Sequence, residues 1–194
     1  ATIPVGLKPF LRKYMHEPKT IQIERSEQFH PDIRHVLVPC KHMEYTEKLM
    51  EILPGINPYV CLIFANTRVV AAQAAERMRA AGYGVVELHG NLNARERMKA
   101  LRELQSQKKS YVVATDIAAR GIDIEGITHV ISLGFPKELD FYIHRSGRTG
   151  RAGRDGVCYA LYRGEDDTMI RVLEQRGIRF EHANFRGGNW VQLK

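Results

Sequence analysis

Arg145, Arg148, Arg151 and Arg154 fall within ten residues of one another, in His144-Arg145-Ser146-Gly147-Arg148-Thr149-Gly150-Arg151-Ala152-Gly153-Arg154, with no acid among them. Glycines recur at 147, 150, 153 and 156. A collagen reading fails, because proline is absent and so few triplets cannot form a triple helix. The dinucleotide pattern Gly-x-Gly-x-x-Gly is also absent. What remains is a pliable backbone presenting guanidinium groups at fixed offsets. Such forks grip phosphate oxygens bidentately and stay charged at every physiological pH. The plainer alternative is a solvated basic loop.

A second stretch carries chemistry of a different kind. Val112-Val113-Ala114-Thr115-Asp116-Ile117-Ala118-Ala119-Arg120-Gly121-Ile122-Asp123 reads as a buried strand emptying into a small-residue turn. Thr115 offers a hydroxyl and a backbone N–H to a phosphate. Asp123 offers a carboxylate to ribose hydroxyls, as acidic residues do in other nucleotide-binding folds. Asp116 reads either as the N-cap of a following short helix or as a ligand contact.

These residues need a scaffold. Strand-like runs cover 20–24, 33–39, 59–65, 84–88, 110–114, 128–133 and 156–162, and several are almost continuously apolar, as strands buried on both faces are. Helical spacing lies between them. Met43, Thr46, Leu49, Met50 and Leu53 share one face, Ala71, Ala74, Ala75 and Met78 another, and Met98, Leu101 and Leu104 a third. The third is expected to start in a capping box of Asn93 and Glu96. A fourth helix is expected from about Glu165, and His144 follows an aromatic helical segment. The alternation predicts an α/β fold, an open and mostly parallel sheet with helices on both faces. Ligands of such sheets bind at the carboxyl ends of the strands. The loops at 66–68, 89–90, 115–116 and from Gly134 onward are therefore the candidates.

The chain has 194 residues and a formal net charge of +7, from 29 Lys and Arg against 22 Asp and Glu. Its 44% hydrophobic and 26% charged residues exclude a wholly disordered chain. The longest strictly apolar run, 59–65, falls far short of the roughly 20 residues that span a bilayer. No secretory signal pattern opens the sequence. Cys40, Cys61 and Cys158 sit among apolar neighbours and read as reduced core thiols in a cytoplasmic protein. In residues 1–20 Ile3, Leu7, Leu11 and Met15 suggest a helix that Pro4 and Pro9 interrupt and Glu17-Pro18 ends, so this segment reads as a connector, 21–182 as the folded domain, and 183–194 as a tail without clear periodicity. No repeat or metal-ligand spacing stands out.

The two motif stretches resemble motifs VI and V of DEAD-box RNA helicases, in their second RecA-like domain. Leu62-Ile63-Phe64-Ala65-Asn66-Thr67-Arg68 resembles motif IV, and Leu88-His89-Gly90 resembles motif IVa. The order and spacings match across about residues 1–180. Ala1-Thr2 resembles the end of the Ser-Ala-Thr motif that closes the first domain. One departure is Ala94, which stands where the family often has Gln, with Arg97 in the following Arg place.

The resemblance implies a division of labour. Arg148 and Arg151 would act as arginine fingers on the γ-phosphate of ATP, and His144 would couple to the acidic motif of the other domain. Asp123 would contact the ribose. Asn66, Thr67, Arg68, Gly90, Arg97 and Thr115 would form part of an RNA surface, with the helix starts after Thr67 and Asn93 directing N–H groups at phosphates. Neither a Gly-x-x-x-x-Gly-Lys-Ser/Thr loop nor Asp-Glu-Ala-Asp occurs in these residues. ATP with Mg²⁺ is therefore expected mainly on a first RecA-like domain of the same protein, and this half alone should not hydrolyse it. The expected partners are RNA and that first domain, with no membrane and an oligomeric state left open. Two alternatives remain: a non-enzymatic RNA-binding module, to which Arg186-Gly187-Gly188 lends slight support, and a domain of a related DNA helicase.

Overall fold

The computed structural model describes residues 8–16, 32–88, 90, 92–106, 110–120, 124–151 and 153–193. Helix α1 (Lys8–Tyr14) precedes strand β1 (Ile33–Pro39). There follow α2 (Tyr45–Ile52), β2 (Val60–Ala65), α3 (Arg68–Ala80), β3 (Val85–Leu88), α4 (Ala94–Gln105), β4 (Tyr111–Ala114), α5 (Asp116–Ala119) and β5 (Ile127–Leu133). The chain closes with α6 (Leu139–Ser146), β6 (Gly156–Tyr162), α7 (Asp167–Gln175), β7 (Phe180–Arg186) and β8 (Asn189–Gln192). The strands form one eight-stranded sheet in the order β3-β4-β2-β5-β6-β1-β7-β8. Every pairing is parallel except that of β7 with β8. The expected α/β architecture is present.

Period-two alternation sends strand side chains into two cores. Val36, Val38, Cys61, Ile63, Val113, Ile131 and Leu133 pack under α2 and α3. Leu37, Leu62, Phe64, Val112, Val130, Cys158 and Ala160 pack under α4 to α7. This double cover explains why β2 is apolar at every position. Ala71, Ala74 and Ala75, at helical i, i+3, i+4 spacing, turn a small-residue face of α3 to the sheet. α3 and α6 leave adjacent β2 and β5 toward opposite faces, which makes those strand ends the point where the connections diverge.

Two expectations change, and a third falls on residues that are not described. Helix α1 begins at Lys8 with Pro9 in its first turn, where the missing N–H removes no intrahelical bond, so Pro9 does not interrupt it. The strand expected at 20–24 lies outside the described residues. The segment 183–194, read as a tail, instead completes β7 and forms β8. Gly187 and Gly188 both take positive φ, 56° and 83°, and Arg186 pairs with Asn189, which makes a two-residue hairpin turn. Trp190 stacks on Tyr159 with centroids 5.0 Å apart and donates from Nε1 to the Gly55 carbonyl at 2.8 Å. The buried Lys48 ammonium donates to Asn184 of β7 and to Glu51. Among the described residues no helix is long and apolar enough to cross a membrane.

Candidate functional site

The loops at the carboxyl ends of β2, β4 and β5 meet on one side chain, Arg145. It is 1% exposed. Its Nε and Nη2 donate to the two Asp116 carboxylate oxygens at 2.7 Å each. Nη2 also donates to Asn66 Oδ1 at 2.7 Å, and Nη1 to the Gly134 carbonyl at 3.2 Å. The guanidinium lies 5.3 Å from the Phe64 ring centroid. Asn66 completes the knot by donating from Nδ2 to the Phe135 carbonyl at 2.9 Å. Within the basic run, Arg145 is therefore not a ligand arginine but a strut joining three loops.

This placement identifies the cap of α5. Asp116 is not the N-cap of α5. That role falls to Thr115, whose backbone is extended and whose hydroxyl oxygen accepts the Ala118 N–H at 3.4 Å. Asp116 sits in the first turn, where its charge suits the helix dipole, and both its oxygens are taken by Arg145. Thr67 caps α3 in the same way, accepting the Val70 N–H at 3.2 Å. The capping box expected at α4 is present, with Asn93 and Glu96 exchanging bonds of 2.9 Å.

Helix α6 carries the chain from the carboxyl end of β5 back toward its amino end. It is anchored by Tyr142, fully buried, whose hydroxyl meets His35 Nδ1 at 3.0 Å and whose ring stacks on Phe135 at 5.1 Å. Burial pushes the Tyr142 hydroxyl upward and the His35 ring down to about 4. Burial likewise holds the Cys158 thiol up at about 12. Cys40, Cys61 and Cys158 are all buried and free, as core thiols should be.

Beyond Gly147 the basic loop packs against the amino ends of the strands. Thr149 Oγ1 donates to the Ile127 carbonyl at 2.7 Å, and the Gly156 N–H donates to the Asp32 carbonyl at 2.8 Å. Two glycines of the triplet pattern have separate reasons. Gly150 takes φ 65° against Ile33, and a Cβ on Gly156 would lie only 2.4 Å from Thr149 Oγ1. The loop thus doubles back closely enough to exclude a side chain. Arg148 and Arg151 line one narrow crevice with Ala119, Ile124 and Ile127. Arg151 Nε donates to the Gly147 carbonyl at 3.0 Å, and its residue is exposed. His144 is exposed on α6. Asp123 lies outside the described residues, between Arg120 and Ile124.

The structure brings the sequence candidates together in two groups rather than one. Asn66, Thr67, Arg68 and Thr115 gather at the carboxyl ends of β2 and β4, which are neighbours with Phe64 opposite Ala114. Gly90 follows β3, the next strand outward. Arg148 and Arg151 stand apart, near the amino end of β5, because α6 runs back along the sheet. The expectation that the whole stretch from Gly134 on lies at carboxyl ends therefore holds only as far as Arg145. Arg97 is half-buried, and its Nη2 donates to the carbonyls of Ala118 and Arg120 at 2.8 and 3.1 Å. That bridge from α4 to the end of α5 was not legible from spacing, since carbonyl acceptors leave no trace in residue types.

Comparison with known proteins follows this geometry. The family model described as the helicase conserved C-terminal domain matches residues 44–153. The chain is 42% identical over 190 residues to the DEAD-box ATP-dependent RNA helicase CshB of Bacillus subtilis (strain 168), covering 98% of this chain and 43% of that protein. It is 32% identical over 175 residues to the DEAD-box ATP-dependent RNA helicase CshA of the same organism, covering 90% of this chain and 35% of that protein. The chain therefore spans less than half the length of these curated relatives. Among solved structures, the C-terminal domain of the DEAD-box protein Dbp5 superposes with a TM-score of 0.70 at 26% identity, covering 79% of this chain and 91% of that one. The Escherichia coli DEAD-box protein SrmB, solved bound to a regulator of ribonuclease activity, gives 0.70 at 28% identity, covering 77% and 89%.

Proposed function

Since the chain belongs to the helicase conserved C-terminal domain family, with DEAD-box RNA helicases as its relatives, we propose that it is the second RecA-like half of an ATP-dependent RNA helicase. In this reading a first RecA-like domain holds ATP with Mg²⁺, and this half closes over it. Arg148 and Arg151 supply positive charge to the γ-phosphate as transfer proceeds, a contribution typically worth about 10³–10⁵ in rate. Asp123 accepts from the ribose hydroxyls, and His144 meets the acidic motif of the first domain. RNA crosses the carboxyl ends of β2, β3 and β4, where Asn66, Thr67, Arg68, Gly90 and Thr115 meet phosphates and 2′-hydroxyls. Such contacts make binding tolerant of sequence. Arg97 contributes at the start of α4. The protein works in the cytoplasm.

The observation that carries the reading is the shared crevice of Arg148 and Arg151. It is walled by Ala119 and Ile124, which flank Asp123 in the sequence. Two guanidinium groups sharing one crevice suit the oxygens of a nucleotide's polyphosphate. The test joins this chain to its first domain and measures RNA-stimulated ATP turnover. Arg151→Ala is expected to lower kcat at least about 10³-fold while RNA affinity changes little. Unchanged turnover would overturn the finger role.

A further inference from the structure

We propose that the outward face of α4 is an accessory track for the RNA phosphate backbone, extending the RNA surface away from the strand ends. The proposal rests on the RNA reading above and goes beyond it, because none of the residues assigned there lies on this face. Arg95, Lys99 and Arg102 stand at i, i+4 and i+7, all exposed, and line one shallow concavity with Met98 and Glu96. They are the same stripe of the helix, and seven residues of helix extend about 10 Å. Among the described residues no carboxylate forms an ion pair with any of the three. Two acids, Glu96 and Glu103, lie beside them on the helix; Glu96 is committed to the Asn93 N–H at 2.9 Å, so its charge already serves the helix start. Met98, 51% exposed between Arg95 and Arg102, offers a polarizable apolar surface to a sugar or base.

Charge complementarity and continuity select the occupant. The stripe is linear and carries more positive than negative side chains, which suits a polyanion running along it. It begins one turn from Asn93, so it continues from the loop after β3 where the RNA surface ends. The opposite face of α4 is taken by packing, through Ala100, Leu101 and Leu104, and by the Arg97 bridge. Among the described residues of α4, the exposed basic side chains are Arg95, Lys99 and Arg102.

The experiment measures binding of a fluorescein-labelled 20-nucleotide oligouridine to the 194-residue chain across a range of salt concentrations. The comparison variant is Arg95→Gln/Lys99→Gln/Arg102→Gln. Glutamine is a good helix former, so circular dichroism and melting temperature should match wild type. Three phosphate contacts on a single strand contribute about 2 to the slope of log K against log salt. The variant is expected to lose that much slope and at least about tenfold in affinity at low salt, while Arg95→Lys/Arg102→Lys retains both. An unchanged slope in the Gln variant would overturn the proposal and assign the face to another partner, such as an acidic protein. Failure of the RNA reading itself looks different: the wild-type chain would bind no oligouridine at all, and the proposal would fall with it.

Discussion

Removing the Arg145 side chain tests the strut directly. Arg145→Met preserves the stem and deletes the fork. The four hydrogen bonds to Asp116, Asn66 and the Gly134 carbonyl vanish together. Breaking one partner of a buried ion pair costs about 3–5 kcal/mol. The Asp116 side chain is 23% exposed against 1% for Arg145, so the abandoned carboxylate regains some water. That places the loss near the lower limit, about 3 kcal/mol. For a chain of this size it corresponds to a fall in Tm of about 6–12 °C. Urea unfolding and a thermal scan measure it, with the m-value as control for two-state behaviour. Arg145→Lys keeps the charge but can reach only part of the acceptor set, so it should fall between the two. A double-mutant cycle with Asp116→Asn should return a coupling of at least about 1 kcal/mol. A Tm drop below 2 °C in Arg145→Met would refute the strut, as would strict additivity with Asp116→Asn.

Two further outcomes follow from the packing. Trp190 is the single tryptophan, so its fluorescence reports on the C-terminal hairpin alone; Trp190→Phe keeps the stack on Tyr159 but loses the Gly55 bond, and should cost about 1 kcal/mol in urea titrations followed by circular dichroism. His35 is 5% exposed and burial lowers its pKa to about 4, against 6.5 when unfolded. Its contribution is therefore present above pH 6.5 and lost as pH falls toward 4, by up to about 3 kcal/mol. His35→Phe should flatten that part of a stability-against-pH curve; a curve of unaltered slope would show that His35 does not govern it.

The sheet and most of the helices could be read from the sequence because their signal is burial. β2 is apolar throughout, α3 repeats alanine on one face, and α4 announces its start with Asn93 and Glu96. The hairpin of β7 and β8 was harder to see. It is an edge ribbon whose apolar residues, Ala183, Phe185 and Trp190, are interrupted by polar Asn184, Arg186 and Asn189 and two glycines, so no periodic window forms. Its one legible sign was Gly187-Gly188 between Phe185 and Trp190. Within the site, the arginine run was visible as a whole, but its internal division was not. Spacing by three makes Arg145, Arg148 and Arg151 look equivalent. What separates them is that α6 ends between Arg145 and Arg148, leaving the first inside the core and the others on a loop at its border.

That division bears on how the two surfaces relate. Arg145 holds the loops that carry Asn66, Thr115 and Asp116, and it is itself the penultimate residue of α6. Two residues past the end of α6 the chain reaches Arg148, in the crevice with Ala119 and Ile124. Arg97 ties α4 to the same α5 segment through the Ala118 and Arg120 carbonyls, and Arg120 in turn lies 5.1 Å from the Phe141 ring of α6. The segment from Thr115 to Arg120 is thus gripped from α4 at one point and from α6 at two. A shift of that segment cannot be absorbed locally, because the buried guanidinium that holds Asp116 has no water to replace it. The displacement passes instead to α6 and the arginines that follow it. The physical link between the strand-end surface and the Arg148–Arg151 crevice is therefore short, and most of it is made by two arginines, Arg97 and Arg145, whose hydrogen bonds point inward.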